Sequence, residues 1–65
     1  MQIKVNSNPV EVQAERLSDA LQELGFTSAA IATALNGQFV SREQRVEITL
    51  SPGDALEVLA PMQGG

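Results

Sequence analysis

Gly64 and Gly65, which end the chain, are the residues whose type and position suggest chemistry. Glycine has no Cβ atom, so two in succession form a thin strip with a carboxylate at its tip. Such a strip can enter a channel that any side chain would block. The alternative is an ordinary frayed terminus, because chain ends are commonly disordered.

A terminal carboxylate is ionised at neutral pH and is a poor electrophile, so it needs a leaving group before a nucleophile can attack it. The chain has no cysteine and no histidine, and its serines and threonines have no adjacent base of the required kind. These features predict that the protein is a substrate or carrier and not an enzyme, with partner proteins doing the catalysis. Neither a metal site nor a bound cofactor is expected.

The size and net charge of the chain argue against two further classes of function. With 65 residues, of which 43% are hydrophobic, the chain forms one domain at most and is too small to build a deep nucleotide pocket beside its core. The net charge is −4, and the basic residues are scattered along the chain: Lys4, Arg16, Arg42 and Arg45. Nucleic-acid binding is therefore not expected. The acidity either steers the protein to a basic partner surface or simply confers solubility.

Location can also be predicted from the apolar pattern. No apolar run approaches the length that spans a membrane, and the first residues lack the apolar core of a signal peptide. We expect a cytoplasmic protein that does not bind membranes.

The chain begins with a predicted β-hairpin. Apolar and polar residues alternate over residues 1–5 and again over residues 10–13, as in half-buried strands. Between them, residues 6–9 (Asn-Ser-Asn-Pro) are a dense turn signal.

A helix follows, because apolar residues then recur with helical spacing. These residues are Leu17, Ala20, Leu21 and Leu24. Neither residue 15 nor residue 16 is a good N-cap. Gly25 is placed to end the helix in a left-handed conformation, with Phe26 folding back on Leu21.

Residues 28–35 are open to two interpretations. Their alanines favour a helix, but β-branched and apolar residues alternate with those alanines as in a strand. We predict a strand, because Asn36-Gly37 follows and a two-residue Asn-Gly turn joins two strands. Residues 38–40 are the second of these strands.

The remaining residues lead back to the tail. Residues 41–45 are polar and predict a surface connection, and residues 46–50 alternate between apolar and polar types. A turn over residues 51–54 precedes the last strand, residues 55–60. Pro61 ends that strand because it has no N–H group for the ladder.

Together these elements predict an α+β fold, a mixed sheet of about five strands with one helix on one face, since the apolar stripe of the helix has nothing else to pack against. The first and last strands are expected to pair at the centre of the sheet. The folded domain is then residues 1–60, and residues 61–65 form a flexible tail that leaves the most rigid part of the sheet.

With these elements in place, the chain resembles the ThiS family, ubiquitin-like sulfur carriers of thiamine biosynthesis with a β-grasp fold. The resemblance covers the whole chain and rests on residues 34–40 (ALNGQFV), residues 40–44 (VSREQ), Gly53-Asp54 and the terminal Gly-Gly. There are two departures from the family pattern. Arg45 stands where an aromatic residue is expected, and residues 61–63 are less apolar than is usual.

The resemblance implies a chemical role for the tail. An E1-like adenylyltransferase would use ATP to adenylate the Gly65 carboxylate, and sulfur from a persulfide donor protein would displace AMP. A thiazole synthase would then take sulfur from the resulting thiocarboxylate. Gly64 is the residue expected to fit the partner's channel, while Gln63 and Met62 either contact that channel or act as spacers.

The short reach of the tail predicts a docking surface on the folded domain. Five extended residues span at most about 17 Å, so the tail enters a partner's active site only if the body docks at its mouth. Leu59 is the candidate docking residue, because it points opposite to Leu56 and Val58. Ala32 and Ala34 are expected to border it. The alternative is that Leu59 is an ordinary surface hydrophobic residue.

Two other functions remain open. One is a related carrier, such as the small subunit of molybdopterin synthase or a carrier that serves another sulfur acceptor. The other is a ubiquitin-like interaction module in which the Gly-Gly ending is incidental. The intact mass of the protein separates carrier from module, because only a carrier gains sulfur or AMP at its terminus. The sequence does not identify the acceptor or the sulfur donor, and we expect the free protein to be a monomer.

Overall fold

One mixed sheet dominates the computed structural model, which describes residues 1–28 and 30–60. Its strands are β1 (Gln2–Val5), β2 (Asn8–Glu11), β3 (Ala32–Leu35), β4 (Gln38–Val40) and β5 (Ala55–Leu59). The helix α1 (Leu17–Glu23) lies between β2 and β3, and a 3-10 helix (Glu43–Val46) lies between β4 and β5. This arrangement confirms the predicted α+β, β-grasp fold.

The last strand lies at the centre of the sheet, whose order is β2-β1-β5-β3-β4. Strand β5 runs parallel to β1, with Lys4 opposite Ala55, and antiparallel to β3, with Ala32 opposite Leu59. The predicted pairing of the first and last strands is therefore confirmed. The central position gives β5 a hydrogen-bonded neighbour on each side.

The core fills the space between α1 and one face of the sheet. Burial alternates along the central strands, so that every second side chain of β1 and β5 points into the core. The buried hydrophobic residues are Ile3, Val5, Val12, Leu17, Ala20, Leu21, Ile31, Val40, Leu50, Leu56 and Val58. No helix of the described residues covers the other face of the sheet, which we call the open face.

The end of α1 has the predicted geometry. Gly25 adopts φ = 89°, the Gly25 N–H donates to the Gln22 carbonyl at 3.1 Å, and the Phe26 N–H donates to the Leu21 carbonyl at 2.8 Å. These two bonds are those of a Schellman motif, which a left-handed glycine permits.

The start of α1 has no side-chain cap, as predicted, with Arg16 at the N-cap position. The backbone of a distant segment takes the place of a cap: the Leu17 N–H donates to the Ile48 carbonyl at 3.0 Å. The Leu50 N–H donates to the Glu15 carbonyl at 2.7 Å, so the segment is bonded on both sides of Arg16.

The hairpins differ in how well their bounds were predicted. The second turns at Asn36 (φ 51°) and Gly37 (φ 83°), so its strands meet where expected. In the first, residues 6 and 7 also adopt positive φ, and pairing resumes at once with Val5 opposite Asn8. Strand β2 is therefore Asn8–Glu11 and not residues 10–13.

Strand β3 is shorter than residues 28–35, the predicted range. Its pairing with β5 begins at Ala32 opposite Leu59, the last residue of that strand, and residues 28, 30 and 31 lie outside it. Residue 29 is outside the described part of the chain. The strand interpretation is confirmed for Ala32–Leu35.

The predicted surface connection over residues 41–45 is wrong at Arg45, whose side chain is only 8% exposed. Its Nε donates to the Thr33 hydroxyl at 3.1 Å, and its Nη2 donates to the Ile31 carbonyl at 2.8 Å. The Thr33 hydroxyl in turn donates to the Val40 carbonyl at 2.9 Å. These bonds pair polar groups that are buried on the core face of the sheet. The family resemblance had led us to expect an aromatic residue in place of Arg45.

The alternating residues 46–50 form no extended strand. Val46 ends the 3-10 helix and is 53% exposed, and the segment contributes only an isolated bridge, Thr49 with Arg16. Two of its apolar residues contribute to the core, because Leu50 is buried and Ile48 packs against the core residues. No helix in the described part of the chain is long and apolar enough to cross a membrane.

Candidate functional site

The predicted tail follows directly from the central strand. Strand β5 ends at Leu59, and Ala60 is the last residue that the structure describes. The predicted tail residues, Met62, Gln63, Gly64 and Gly65, lie outside the described residues. The structure thus gives the geometry of the strand from which the tail begins, and the roles of those four residues remain predictions.

An apolar patch lies on the open face of the sheet beside this point. Leu59 is 70% exposed and Phe39 is 72% exposed. Ala32 pairs with Leu59, and Ala34 pairs with Phe39, so two small side chains lie between two large ones. The small residues leave a shallow depression, which Glu57 also lines. We call Ala32, Ala34, Phe39, Glu57 and Leu59 the open-face patch.

The structure brings together the predicted docking residues Leu59, Ala32 and Ala34, although their docking role stays a prediction. Phe39, which also lines this surface, was not among the predicted docking residues. The signal was present, because strand alternation places Phe39 opposite to the buried Val40 and therefore on the open face.

Glu57 supplies a negative charge within the patch. It lies opposite Ala34 in the β3–β5 pairing, and its side chain is exposed. No ion pair joins it to a basic side chain of the described residues. An apolar surface that includes a carboxylate would suit a partner surface that presents an apolar side chain next to a lysine or arginine.

Within residues 1–28 and 30–60, no group of three or more His, Cys, Asp or Glu side chains is arranged to hold a metal ion. The larger groove lies between β4 and the 3-10 helix. It is lined by Leu35, Gln38, Phe39, Val40, Gln44, Glu47 and Ile48. These side chains include no nucleophile paired with a base, so the groove has no arrangement for covalent catalysis.

Comparison with known proteins identifies the family. The model of the ThiS family matches residues 3–65, almost the whole chain. The chain belongs to the ThiS family. The crystal structure of thiamine biosynthesis protein ThiS from Geobacter metallireducens is 35% identical to it, with a TM-score of 0.82 and coverage of 100% of both chains.

A second solved structure agrees with this assignment. The NMR solution structure of a thiamine biosynthesis protein from the same organism is 31% identical, with a TM-score of 0.81, and covers 100% of this ThiS-family chain and 88% of that chain. A search of curated proteins gives no match. ThiS proteins are small carrier proteins, and membership supports a sulfur carrier role that involves sulfur-transfer enzymes as partners.

Two of the motifs that carry the resemblance to ThiS proteins have a structural role here. The Asn36 amide donates to the Asp54 carboxylate at 3.1 Å and accepts a hydrogen bond from the Ala55 N–H at 2.9 Å. The other Asp54 oxygen accepts a bond from the Ser51 N–H at 2.8 Å. Asn36-Gly37 and Gly53-Asp54 therefore meet and fix the start of β5.

Proposed function

We propose that this ThiS-family protein is a sulfur carrier of thiamine biosynthesis whose Gly65 carboxylate is adenylated and then converted to a thiocarboxylate. The observation that carries the proposal is the family match, which extends through residue 65 and so includes the terminal Gly64-Gly65. The position of the tail, directly after the central strand of the sheet, supports the same conclusion.

The chemistry takes place on the chain's last carbonyl group. The Gly65 carboxylate attacks the α-phosphorus of ATP on an E1-like adenylyltransferase, and pyrophosphate leaves. The terminal sulfur of a persulfide donor protein attacks the acyl carbon, and AMP leaves. A thiol then cleaves the S–S bond, which releases the thiocarboxylate and leaves a disulfide on the thiol side. A thiazole synthase takes sulfur from the thiocarboxylate.

This chain contributes positioning and access. It supplies no cysteine or histidine for the reaction, so every proton transfer and leaving-group step depends on partner groups. The glycines let the acyl group enter a narrow channel. The folded body presents the docking surface that holds the tail at the channel mouth.

Intact mass tests the proposal directly. The purified protein is incubated with an E1-like enzyme of the family, ATP, a persulfide donor and a thiol, and its mass is measured. We expect first the mass of the AMP adduct and then the shift for one sulfur replacing one oxygen, both located at Gly65 by fragmentation. A terminus that stays unmodified while a known carrier reacts in parallel would select the interaction-module function.

The open-face patch is the proposed docking surface for the adenylyltransferase. Leu59 is the last residue of β5, and only Ala60 separates it from the predicted tail. Because the tail spans at most about 17 Å, a surface next to its origin is the one that can lie at the mouth of the partner's channel. The carboxylate of Glu57 and the net charge of −4 favour a partner with basic residues there.

Leu59→Glu is expected to raise the KM for the carrier in adenylation by about tenfold or more, because a charge replaces an apolar anchor at the interface. The fold should be unaffected, since the side chain is 70% exposed. Steady-state AMP or pyrophosphate formation at varied carrier concentration measures the effect.

Val46→Glu is the matched control. It makes the same chemical change at another exposed hydrophobic residue, one outside the open-face patch. Its KM should equal that of the unmodified sequence. Equal kinetics for Leu59→Glu and Val46→Glu would remove the open-face patch from the interface.

A further inference from the structure

The side chain of Asn6 acts on the strand that leads to the tail. Its Nδ2 donates to the Val58 carbonyl at 3.2 Å, and its Oδ1 accepts a hydrogen bond from the Val58 N–H at 2.9 Å. The two residues are 52 positions apart in the sequence. The Asn6 amide thus binds both polar backbone groups of one residue near the end of β5.

These two bonds continue a ladder that the backbone of β1 cannot continue. The parallel pairing of β1 with β5 ends with the Asn6 N–H donating to the Leu56 carbonyl at 2.9 Å. In a longer parallel ladder, the Val58 N–H would donate to the backbone carbonyl of Asn6, and the Val58 carbonyl would accept from the N–H two residues further along the first strand. Here the chain turns away at Asn6 (φ 50°) and Ser7 (φ 74°) to form β2. The Asn6 amide takes the place of the missing peptide group.

We infer that Asn6 is a positioning residue that sets where the tail begins. With the amide in place, β5 is bonded on both edges as far as Val58, one residue before Leu59 pairs with Ala32. Without it, β5 is held beyond Leu56 by β3 alone. The last residues of the strand would then separate more readily from the sheet, which lengthens the tail and moves its origin.

A shift in the point at which the tail leaves β5 should affect the adenylation reaction more than it affects the stability of the fold. The reactive carbonyl must reach the bound nucleotide in one orientation, and a small misplacement lowers the rate of the chemical step. Loss of the Asn6 amide should therefore reduce kcat for adenylation, whereas a defect in docking raises KM. This inference rests on the proposed function for its kinetic arm, but the hydrogen bonds can be tested without it.

Asn6→Gly is the test variant, because glycine accepts the positive φ of the turn and removes only the side chain. Asn36→Gly is the matched control. It removes the same side chain at nearly the same φ (51°), from a residue that holds the opposite end of β5 through the Ala55 N–H. Both variants keep a hairpin turn and lose hydrogen bonds to the central strand.

We call the two hydrogen bonds between the Asn6 side chain and Val58 the clamp. Amide hydrogen exchange, followed by NMR, tests the clamp itself. We compare the exchange rate of the Val58 N–H with that of the amides that exchange only by global unfolding. In Asn6→Gly, the ratio of these two rates should rise about tenfold. In Asn36→Gly, this ratio should stay at its native value. Asn6→Asp keeps the acceptor and loses the donor, so its Val58 exchange should fall between those of the native chain and Asn6→Gly. Unchanged exchange at Val58 in Asn6→Gly would overturn the clamp.

Adenylation kinetics test the positioning role. We expect kcat for Asn6→Gly to fall roughly tenfold with KM within a small factor, and kcat for Asn36→Gly to be unchanged. Faster Val58 exchange with an unchanged kcat would overturn the positioning role and leave a structural one. If the unmodified chain is not adenylated at all, the proposed function fails, while the exchange result still decides the clamp.

Discussion

Deletion of Gly64 and Gly65 will abolish adenylation and thiocarboxylate formation while leaving the fold intact. The buried core and all five described strands lie within residues 1–60, so the truncated chain keeps every contact of the sheet that the structure describes. The truncated tail is two residues shorter, so even a fully extended one reaches about 7 Å less far toward the activating site. Intact mass and thermal unfolding, measured on one sample, give the two readouts.

Gly64→Val is the finer version of this experiment. It preserves the length and the terminal carboxylate but adds a β-branched side chain that a narrow channel excludes. We expect adenylation to fall about a hundredfold or more, since misplacement of a reacting group by about 1 Å has effects of that size. Gly64→Ala should give a smaller loss. If both variants react at the native rate, the channel does not require glycine and the assignment of Gly64 is wrong.

Arg45→Ala will destabilise the fold by about 3 kcal/mol, from the loss of two hydrogen bonds made by a charged group and of the packing of its stem. The Ile31 carbonyl and the Thr33 hydroxyl each lose a donor beneath the sheet. A small domain has roughly 5–15 kcal/mol of stability in total, so this loss is a large fraction. The free energy of unfolding is measured by denaturant titration.

Two further variants separate the contributions. Arg42→Ala changes an exposed arginine of the same segment and should cost less than about 0.5 kcal/mol. Arg45→Met keeps most of the stem and loses the donors, so its stability should lie between those of Arg45→Ala and the native chain. If Arg45→Ala is no more destabilising than Arg42→Ala, then Arg45 does not stabilise the sheet.

The elements that could be predicted from the sequence are those with local signals. Gly25 ended α1 where expected, and Asn36-Gly37 placed the second hairpin, because each conformation depends on the φ angle of one or two adjacent residues. The inward and outward positions of β5 followed from its alternation, which placed Leu59 correctly on the open face.

Features that depend on distant partners could not be predicted. Arg45 is polar and lies in a polar segment, so its burial follows only from Ile31 and Thr33, 14 and 12 residues away. The contact of Asn6 with Val58 spans 52 residues, and a turn-forming asparagine gives no sign of it. Residues 46–50 alternate like a strand, but their described backbone bonds go to Glu15 and Leu17 at the start of α1, and they form an isolated bridge there.

Because β5 is both the central strand and the last one, the sheet can be completed only after synthesis has passed Leu59. A nascent chain that ends before β5 contains the β1–β2 hairpin and the β3–β4 hairpin, and β5 is the strand that joins them. Pairing of β1 with β5 brings Lys4 next to Ala55, a contact of high sequence separation that forms slowly compared with a hairpin. A copy whose synthesis stops before β5 therefore lacks Glu57 and Leu59 of the proposed docking surface as well as the reactive end, and we expect it not to compete for the activating enzyme.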